Sequence, residues 1–528
     1  MNVLLIRPPV EDKWLYVNPF GLQELFVFIS NNFSQHVSSI KLVDCQAGEP
    51  FPIVYNSTLL FIDTPDGAQE YLASNEFRSS IVNCKYCFLI GEIVNDGDSK
   101  GVIDALDIEY CSHVNEWNLE KITNIIQEYI DPSLSSKPIK TNSSITGFGF
   151  TDAIISATNR IGDRFHIPAI TSGCEHNCTF CHLNISNESL DKVRAVKIDI
   201  ELVLSELENK CQGKSYNIQF TDENFFGGSS NHYSDDRLKR ISILCDTLSK
   251  YEHLGRIGID TRCDTVINVS DTPELSAYRD YVWKKMINSG LDYVYLGIES
   301  AAATQIKRYG KNFSPSNVLE AINYLRSVRL NFTIGMILFD SMVTEEEIRE
   351  NIRFIKENNL NRNMASLLKE MRYYINSPYV RILKHNKLIA IESSHDYLKY
   401  DPDDVIYRSP VLRENIYIIR IISNLFRRCG YRHSDMTRLM HHDDIGELLA
   451  KSHGIVIDME IAIIELSLFC DNIAPDVKLK KAMDIVITTI ESIYDQVANF
   501  ANIYDDSRIS YFRLVLENVM KSTCAMVN

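Results

Sequence analysis

The chain is expected to fold as an α/β protein in three parts: an N-terminal Rossmann-like domain, a partial (β/α)6 TIM-like barrel and a helical C-terminal domain. Three observations carry this expectation. Short apolar runs alternate with helical stretches up to about residue 390, the pattern of β-α units around a parallel sheet. A Pro- and Ser-rich segment, Asp131 to Pro138, interrupts the alternation and reads as a linker. Beyond residue 391 the strand signals fade and apolar residues recur at helical spacing. The expected parts are therefore 1–130, a linker over 131–164, a barrel over 165–390 and a helical domain over 391–528.

In the first part the expected strands are Val3–Ile6, Ile40–Val43, Leu59–Ile62, Cys87–Ile90 and Leu106–Tyr110, with helices near Gly21–Asn31, Gly67–Ala73 and Asn118–Ile130. No Gly-x-Gly-x-x-Gly follows any of these strands, so a dinucleotide fingerprint is missing. The expected barrel strands are Phe165–Ile170, Tyr216–Phe220, Arg256–Asp260, Tyr293–Leu296, Phe332–Leu338 and a weaker one near Leu367–Tyr374. Helices are expected near Ile198–Cys211, Asp235–Tyr251, Tyr278–Ser289, Pro315–Val328 and Glu345–Asn358. Start signals support three of them: Ser234 before two aspartates, Ser314-Pro315, and Thr344 with Glu347 as a capping box. In such a barrel the chemistry sits at the C-terminal ends of the strands. The last part reads as helices over Glu414–Arg427, Asp435–Lys451, Ile457–Cys470, Lys478–Tyr504 and Ile509–Met520.

Composition narrows the function classes. With 54 basic and 70 acidic side chains the net charge is −16, which argues against a nucleic-acid backbone as main partner. No run of about 18 apolar residues suggests a membrane span, and the start, Val3 to Ile6, reads as a strand without a signal peptide. Thirteen cysteines, an odd number mostly set singly in apolar runs, suit a reducing cytoplasm and free thiols.

Three of those cysteines stand apart. Cys174, Cys178 and Cys181 form C-x3-C-x2-C, with Phe180 before the last, in a loop just after the first barrel strand. Thiolates bind iron–sulfur clusters and zinc. Structural zinc wants a fourth ligand, and His176 or His182 is near enough to offer one. Three cysteines alone fit a cubane with one iron left open to a cofactor or substrate.

This loop resembles that of the radical S-adenosylmethionine (radical SAM) superfamily. The resemblance implies a 4Fe-4S cluster on the three cysteines, with S-adenosylmethionine bound to the open iron by its amine and carboxylate. Reductive cleavage would then give a 5′-deoxyadenosyl radical that abstracts hydrogen from a small-molecule or peptide substrate. The resemblance extends to later strand ends. Asp222 and Glu223 match an acidic turn that accepts the amine of S-adenosylmethionine. Arg262 is similar to an arginine that pairs with its carboxylate. Gly297-Ile298-Glu299-Ser300 resembles a segment whose glutamate lies near the cofactor, its glycine allowing close approach. Gly335 lies in the strand that resembles the one flanking adenine, and Ser377-Pro378 is similar to the turn after the sixth strand.

The N-terminal domain is similar to the cobalamin-binding-like branch, through Ile6-Arg7-Pro8-Pro9, Gly21-Leu22 and Leu89-Ile90-Gly91-Glu92. The Asp-x-His-x-x-Gly motif that supplies histidine to cobalt is absent, so cobalamin stays open: retained, it implies methyl transfer; lost, another radical outcome. The implied partners are the substrate and an electron donor such as flavodoxin or ferredoxin. The alternatives are a tRNA methylthiotransferase-like enzyme and a non-catalytic iron–sulfur or zinc scaffold.

Three further features read more simply. Cys84 and Cys87, with Cys45 and Cys111, are expected to be buried thiols. His433, His441, His442, Asp443 and Asp444 are expected on a solvated polar face. Lys307, Arg308 and Lys311 either steer an anionic substrate or serve solubility.

Overall fold

A computed structural model of the chain describes residues 2–9, 19–33, 35–52, 58–63, 74, 77, 79, 86–90, 110–114, 149–159, 164–167, 171–172, 174, 176–181, 194–195, 199–227, 231–375, 377–390, 399–400, 402–431, 433–440, 443–470 and 472–527. In the N-terminal part, β1 (Asn2–Arg7), β2 (Ser39–Asp44), β3 (Thr58–Asp63), β4 (Tyr86–Ile90) and β5 (Tyr110–Val114) form a parallel sheet in the order β2-β1-β3-β4-β5. This is the flavodoxin-like doubly wound order, which opens a crevice beyond the strand ends between β1 and β3. Strand apolarity on both faces fits it: Leu4, Leu5, Leu59 and Leu60 are all buried. At the C-terminal ends of β1 and β2, Arg7 grips the Asp44 carboxylate at 2.8 and 2.6 Å.

The fifth strand lies over Tyr110–Val114, of whose expected span, Leu106–Tyr110, only Tyr110 is described. The helices expected near Gly67–Ala73 and Asn118–Ile130 lie outside the described residues, as do Cys84, Gly91 and Glu92. The stretch read as linker contains a helix, Asp152–Asn159. It is tied forward by Asp152 to Lys210 at 2.8 Å, and Phe150 N donates to Glu206 at 2.9 Å.

The barrel sheet is parallel, with β6 (Arg164–Ile167), β9 (Tyr216–Phe220), β10 (Leu254–Arg262), β11 (Leu291–Glu299) and β12 (Asn331–Met336) side by side in that order. A short antiparallel pair, β7 (Thr171–Ser172) with β8 (Arg194–Ala195), flanks the cysteine loop. Helices Ile200–Cys211, Asn231–Leu248, Pro273–Asn288, Pro315–Ser327 and Glu345–Glu357 make the returns. Ser314 and Thr344 both close capping boxes. Ser234, in contrast, lies inside a helix that already begins at Asn231.

Two further sequence expectations about elements need correction. The sixth barrel strand is not regular: Met364 and Glu370 make isolated parallel bridges to Ile334 and Phe339, and only Tyr373–Tyr374 forms a strand, antiparallel to Lys399–Tyr400. Its buried apolar residues pack against neighbours without a continuous ladder. The helices expected over Asp435–Lys451 and Ile457–Cys470 are instead a short His433–Arg438 and one long Asp444–Phe469. Gly454 does not break the long helix. A Cβ there would lie 3.0 Å from Cγ of Arg362, so the glycine allows close crossing over the end of the barrel. Pro410–Arg428, Pro475–Ala501 and Ser507–Val527 complete the helical part. Among the described residues no helix is long and apolar enough to cross a membrane.

Candidate cofactor site at the strand ends

Parallel strands bring their following loops to one end of the barrel. The cysteine loop follows β6, Asp222 and Glu223 follow β9, Arg262 ends β10 and Glu299 ends β11. Thr221 fastens the first two loops to each other, its Oγ1 donating to Ile167 O at 3.0 Å. Cys178 is buried, while Cys174 and Cys181 are partly exposed. Cys181 N donates to Cys178 O at 3.2 Å, so the last two cysteines share one turn. Among the described residues no three His, Cys, Asp or Glu side chains converge on a single point.

Cations face these thiols. Arg262 is buried, and its Nη1 donates to Cys178 Sγ at 3.2 Å. Its Nε and Nη2 fork onto Asp264 at 2.9 and 2.7 Å. Burial would raise the Asp264 carboxyl, but the guanidinium beside it outweighs burial and holds it below its usual range. Arg262 therefore arrives already oriented, and only its remaining Nη hydrogens are left for a further carboxylate.

The expected acidic pair divides. Asp222 is buried and 3.8 Å from Nη2 of Arg237, whose guanidinium also donates to Phe225 O and Asn224 O at 2.9 and 2.8 Å. Glu223 is exposed. Glu299 sits in the left-handed region at φ +66°, which non-glycine residues rarely adopt and which clusters at functional sites. Its Oε1 accepts from Lys311 Nζ at 3.2 Å, and the same ammonium reaches Gly297 O at 3.2 Å. A Cβ at Gly297 would come within 2.9 Å of that Oε1 and would displace the Glu299 carboxylate. At Gly335 a Cβ would lie 2.3 Å from the Tyr295 hydroxyl, so the phenol of β11 covers the position expected beside adenine.

The structure gives several residues here partners that the sequence did not show. Lys311 is buried over the rings of Phe180 and Phe313, at 5.9 and 5.7 Å. With Arg308 held by Asp340 and Glu347 at 2.9 and 2.8 Å, two of the three basic residues around Tyr309 are internal partners; Lys307 is exposed. His176 is buried and its pKa falls to about 4, through burial and then the Arg262 charge, so its imidazole is neutral near neutrality. Asp264 could have been found as a carboxylate two residues from Arg262; the basic run 307–311 marked Lys311, but nothing in it showed the contact with Glu299.

Outside this end, His433 is not on a solvated face. It is buried with its Nε2 2.8 Å from Glu460 Oε1. Asp443 caps the long helix through Gly446 N at 2.6 Å. His441 and His442 lie outside the described residues. Cys87 is buried and Cys45 half-buried, its thiol pushed up to about 12 by burial and then by Asp44.

The sequence profile of the Radical SAM superfamily matches residues 169–355. The chain is 28% identical over 192 residues to 4′-phospho-dehydrooxetanocin synthase of Priestia megaterium, which is 35% of this chain and 25% of that protein. It is 24% identical over 196 residues to an uncharacterized methyltransferase of Pyrococcus horikoshii, 37% of this chain and 38% of that one. The matches thus span about a quarter and well under half of these curated relatives. In fold, the whole chain superposes on 84% of the cobalamin-dependent S-adenosylmethionine radical enzyme OxsB, with TM-score 0.66 and 15% identity. It covers 95% of the radical S-adenosylmethionine methyltransferase TsrM of Kitasatospora setae at TM-score 0.51 and 13% identity, with 86% of this chain matched. Residues 169–355, which carry most of the cysteine loop and the strand ends described above, are thus similar to the Radical SAM superfamily.

Proposed function

We propose that this chain is a radical SAM enzyme that carries a 4Fe-4S cluster on Cys174, Cys178 and Cys181 and acts on a small-molecule or peptide substrate. The observation that carries the reading is the pairing of three thiols on one loop with a buried, pre-oriented cation: Arg262 Nη1 lies 3.2 Å from Cys178 Sγ. Such a set fits an anionic cluster, whose charge would otherwise be buried without compensation. When bound, the cluster supplies the electron that cleaves S-adenosylmethionine to methionine and a 5′-deoxyadenosyl radical, which takes a hydrogen atom from substrate.

The chain's own residues bind and orient. Arg262 neutralises the thiolate side and offers its outer Nη hydrogens to the carboxylate of S-adenosylmethionine. Glu299, held by Lys311, and Glu223, open to solvent, are acceptors for its amine. Gly297 keeps the backbone approachable beside Glu299, and Tyr295 over Gly335 walls the barrel floor beneath the adenine. An electron donor such as flavodoxin or ferredoxin delivers the electron.

Cobalamin is the second cofactor in this reading, with methyl transfer as the outcome. The support is the flavodoxin-like strand order of the N-terminal sheet and a fold shared along the whole chain with OxsB, whose solved form binds aqua-cobalamin. The crevice between β1 and β3 would hold it, next to the Arg7–Asp44 pair. The test is anaerobic purification of the protein expressed with cobalamin, followed by visible spectrum, iron and cobalt content. Reduction with S-adenosylmethionine should release 5′-deoxyadenosine, and methylcobalamin should form. A fully loaded cluster that yields neither product would sink the proposal. One zinc with no iron would favour the scaffold alternative.

A further inference from the structure

The strongest unassigned feature is a buried carboxylate behind the cysteine loop. Asp340, fully buried just past β12, accepts from five donors. Its Oδ2 takes Gln305 Nε2, Arg308 Nη2 and the Tyr309 hydroxyl at 2.9, 2.9 and 2.8 Å. Its Oδ1 takes the backbone N–H of Met342 at 2.9 Å and the Tyr379 hydroxyl. Burial and then the Asp340 charge push both phenols well above their usual range, so both stay protonated and donate.

The residues gathered by this carboxylate are the ones that hold the loop. Thr179 lies between Cys178 and Phe180. Its N–H donates to Tyr309 O, its Oγ1 to Arg308 O, and its own carbonyl accepts from Tyr379 N–H, each at 2.9 Å. The Phe180 ring meets Tyr309 edge-on at 5.3 Å. Gly310, at φ +69°, leaves room that a Cβ would deny, 3.0 Å from Asn177 O. On its other side the hub reaches the end of β11, since Gln305 Oε1 accepts from Ser300 Oγ at 2.7 Å.

We infer that Asp340 is the positioning residue of the cysteine loop: one internal anion gathers Arg308, Tyr309 and Tyr379, whose backbones clamp Thr179 and so set Cys178 and Cys181 relative to the Glu299 strand end. This rests on the reading of the loop as a cluster carrier only for its consequence; the clamp itself is a property of the chain. Asp340 touches neither thiol, so its role is to fix the loop and not to ligate.

The test uses the full chain with Asp340→Asn, and Asp44→Asn as control, since the latter breaks another buried ion pair, Arg7–Asp44, in the N-terminal sheet. Two readouts are compared at matched distance below each protein's melting temperature. The first is the alkylation rate of Cys178 in protein before reconstitution, followed by mass spectrometry against buried Cys211. The second is the rate of iron release to a chelator after anaerobic reconstitution. Asp340→Asn should speed both at least five-fold and Asp44→Asn neither. Rates within two-fold of the parent, or equal acceleration by the control, would overturn the inference. Should Asp340→Asn fail to fold, Tyr379→Phe removes one donor and should speed Cys178 alkylation two- to three-fold; an unchanged rate would be equally fatal. If the parent chain takes up no iron, the proposed function fails, while the alkylation readout still decides the clamp.

Discussion

Replacing Arg262 with Met isolates the electrostatics of the site. The substitution keeps the length of the side chain but leaves Asp264 buried, 9% exposed, without its two donors. Removing one member of a buried pair costs about 3–5 kcal/mol, mostly because the other charge is stranded. Losing the Arg262 bond to Cys178 adds on the order of 1 kcal/mol. The double variant Arg262→Met with Asp264→Asn removes the stranded charge and should recover about 2 kcal/mol or more. Trp283 provides the probe: it is buried, stacked on Phe226 at 4.0 Å, and its Nε1 lies 3.5 Å from Thr265 O, beside the pair. With Trp14 and Trp117 replaced by Phe, urea unfolding followed by Trp283 fluorescence reports the barrel transition alone. The native Asp264 carboxyl lies below its unfolded value. The stability it contributes is therefore present above the unfolded pKa, roughly 4, and lost as pH falls through the native one. A single Arg262→Met variant that costs less than about 1 kcal/mol, or a double variant no more stable than it, would refute the stranded-charge argument.

Other expectations are as direct. Gly335→Ala forces a Cβ to 2.3 Å from the Tyr295 hydroxyl, an overpacking worth about 1–3 kcal/mol; thermal unfolding should show the loss, and Tyr295→Phe in the same chain, which removes that hydroxyl, should recover part of it. Glu299→Gln removes the carboxylate held by Lys311 and should weaken S-adenosylmethionine binding at least ten-fold in equilibrium dialysis, with the melting temperature little changed; unchanged affinity would remove Glu299 from the site. His453 is buried, with Nε2 2.7 Å from Met364 O, and its pKa falls to about 3 through burial and then the His433 charge. Between the unfolded value of about 6.5 and the native one, only the unfolded chain binds this proton, so stability falls on acidification by about 1.4 kcal/mol per pH unit. His453→Gln should flatten the pH dependence of the urea midpoint between pH 6.5 and 5; parallel curves for both proteins would contradict it.

What could be read from the sequence was whatever repeats at short spacing. Cys174, Cys178 and Cys181 announce themselves because C-x3-C-x2-C sets three thiols on one tight loop. The strands around Tyr216, Tyr293 and Phe332 show because apolar runs return at regular intervals. The failures share another cause. Asp340 is a single charged residue in an ordinary context, and only tertiary structure reveals that five donors meet it. Gly454 looks like a helix end, yet it marks where Arg362 presses against a continuous helix. His433 sits in a run of polar residues that suggests solvent, but the fold turns it inward to Glu460. The segment Leu367–Tyr374 has the composition of a strand, while its hydrogen bonds go mostly elsewhere.

Where they go has a consequence for how the molecule can be divided. Met364 O accepts from His453 Nε2 at 2.7 Å, and Leu367 N–H donates to Glu460 Oε2 at 2.7 Å. Ser366 Oγ adds a third bond, to Glu460 Oε1 at 3.2 Å. Side chains of the long helix Asp444–Phe469 thus occupy polar backbone groups that a neighbouring strand would otherwise take. An open sheet margin left with such groups unpaired invites another chain to dock there. The C-terminal helices therefore act as a selvedge for the barrel, finishing a border that its own strands leave raw. A chain cut after residue 390 would lose this finish, and self-association, not an independent catalytic unit, is the expected product.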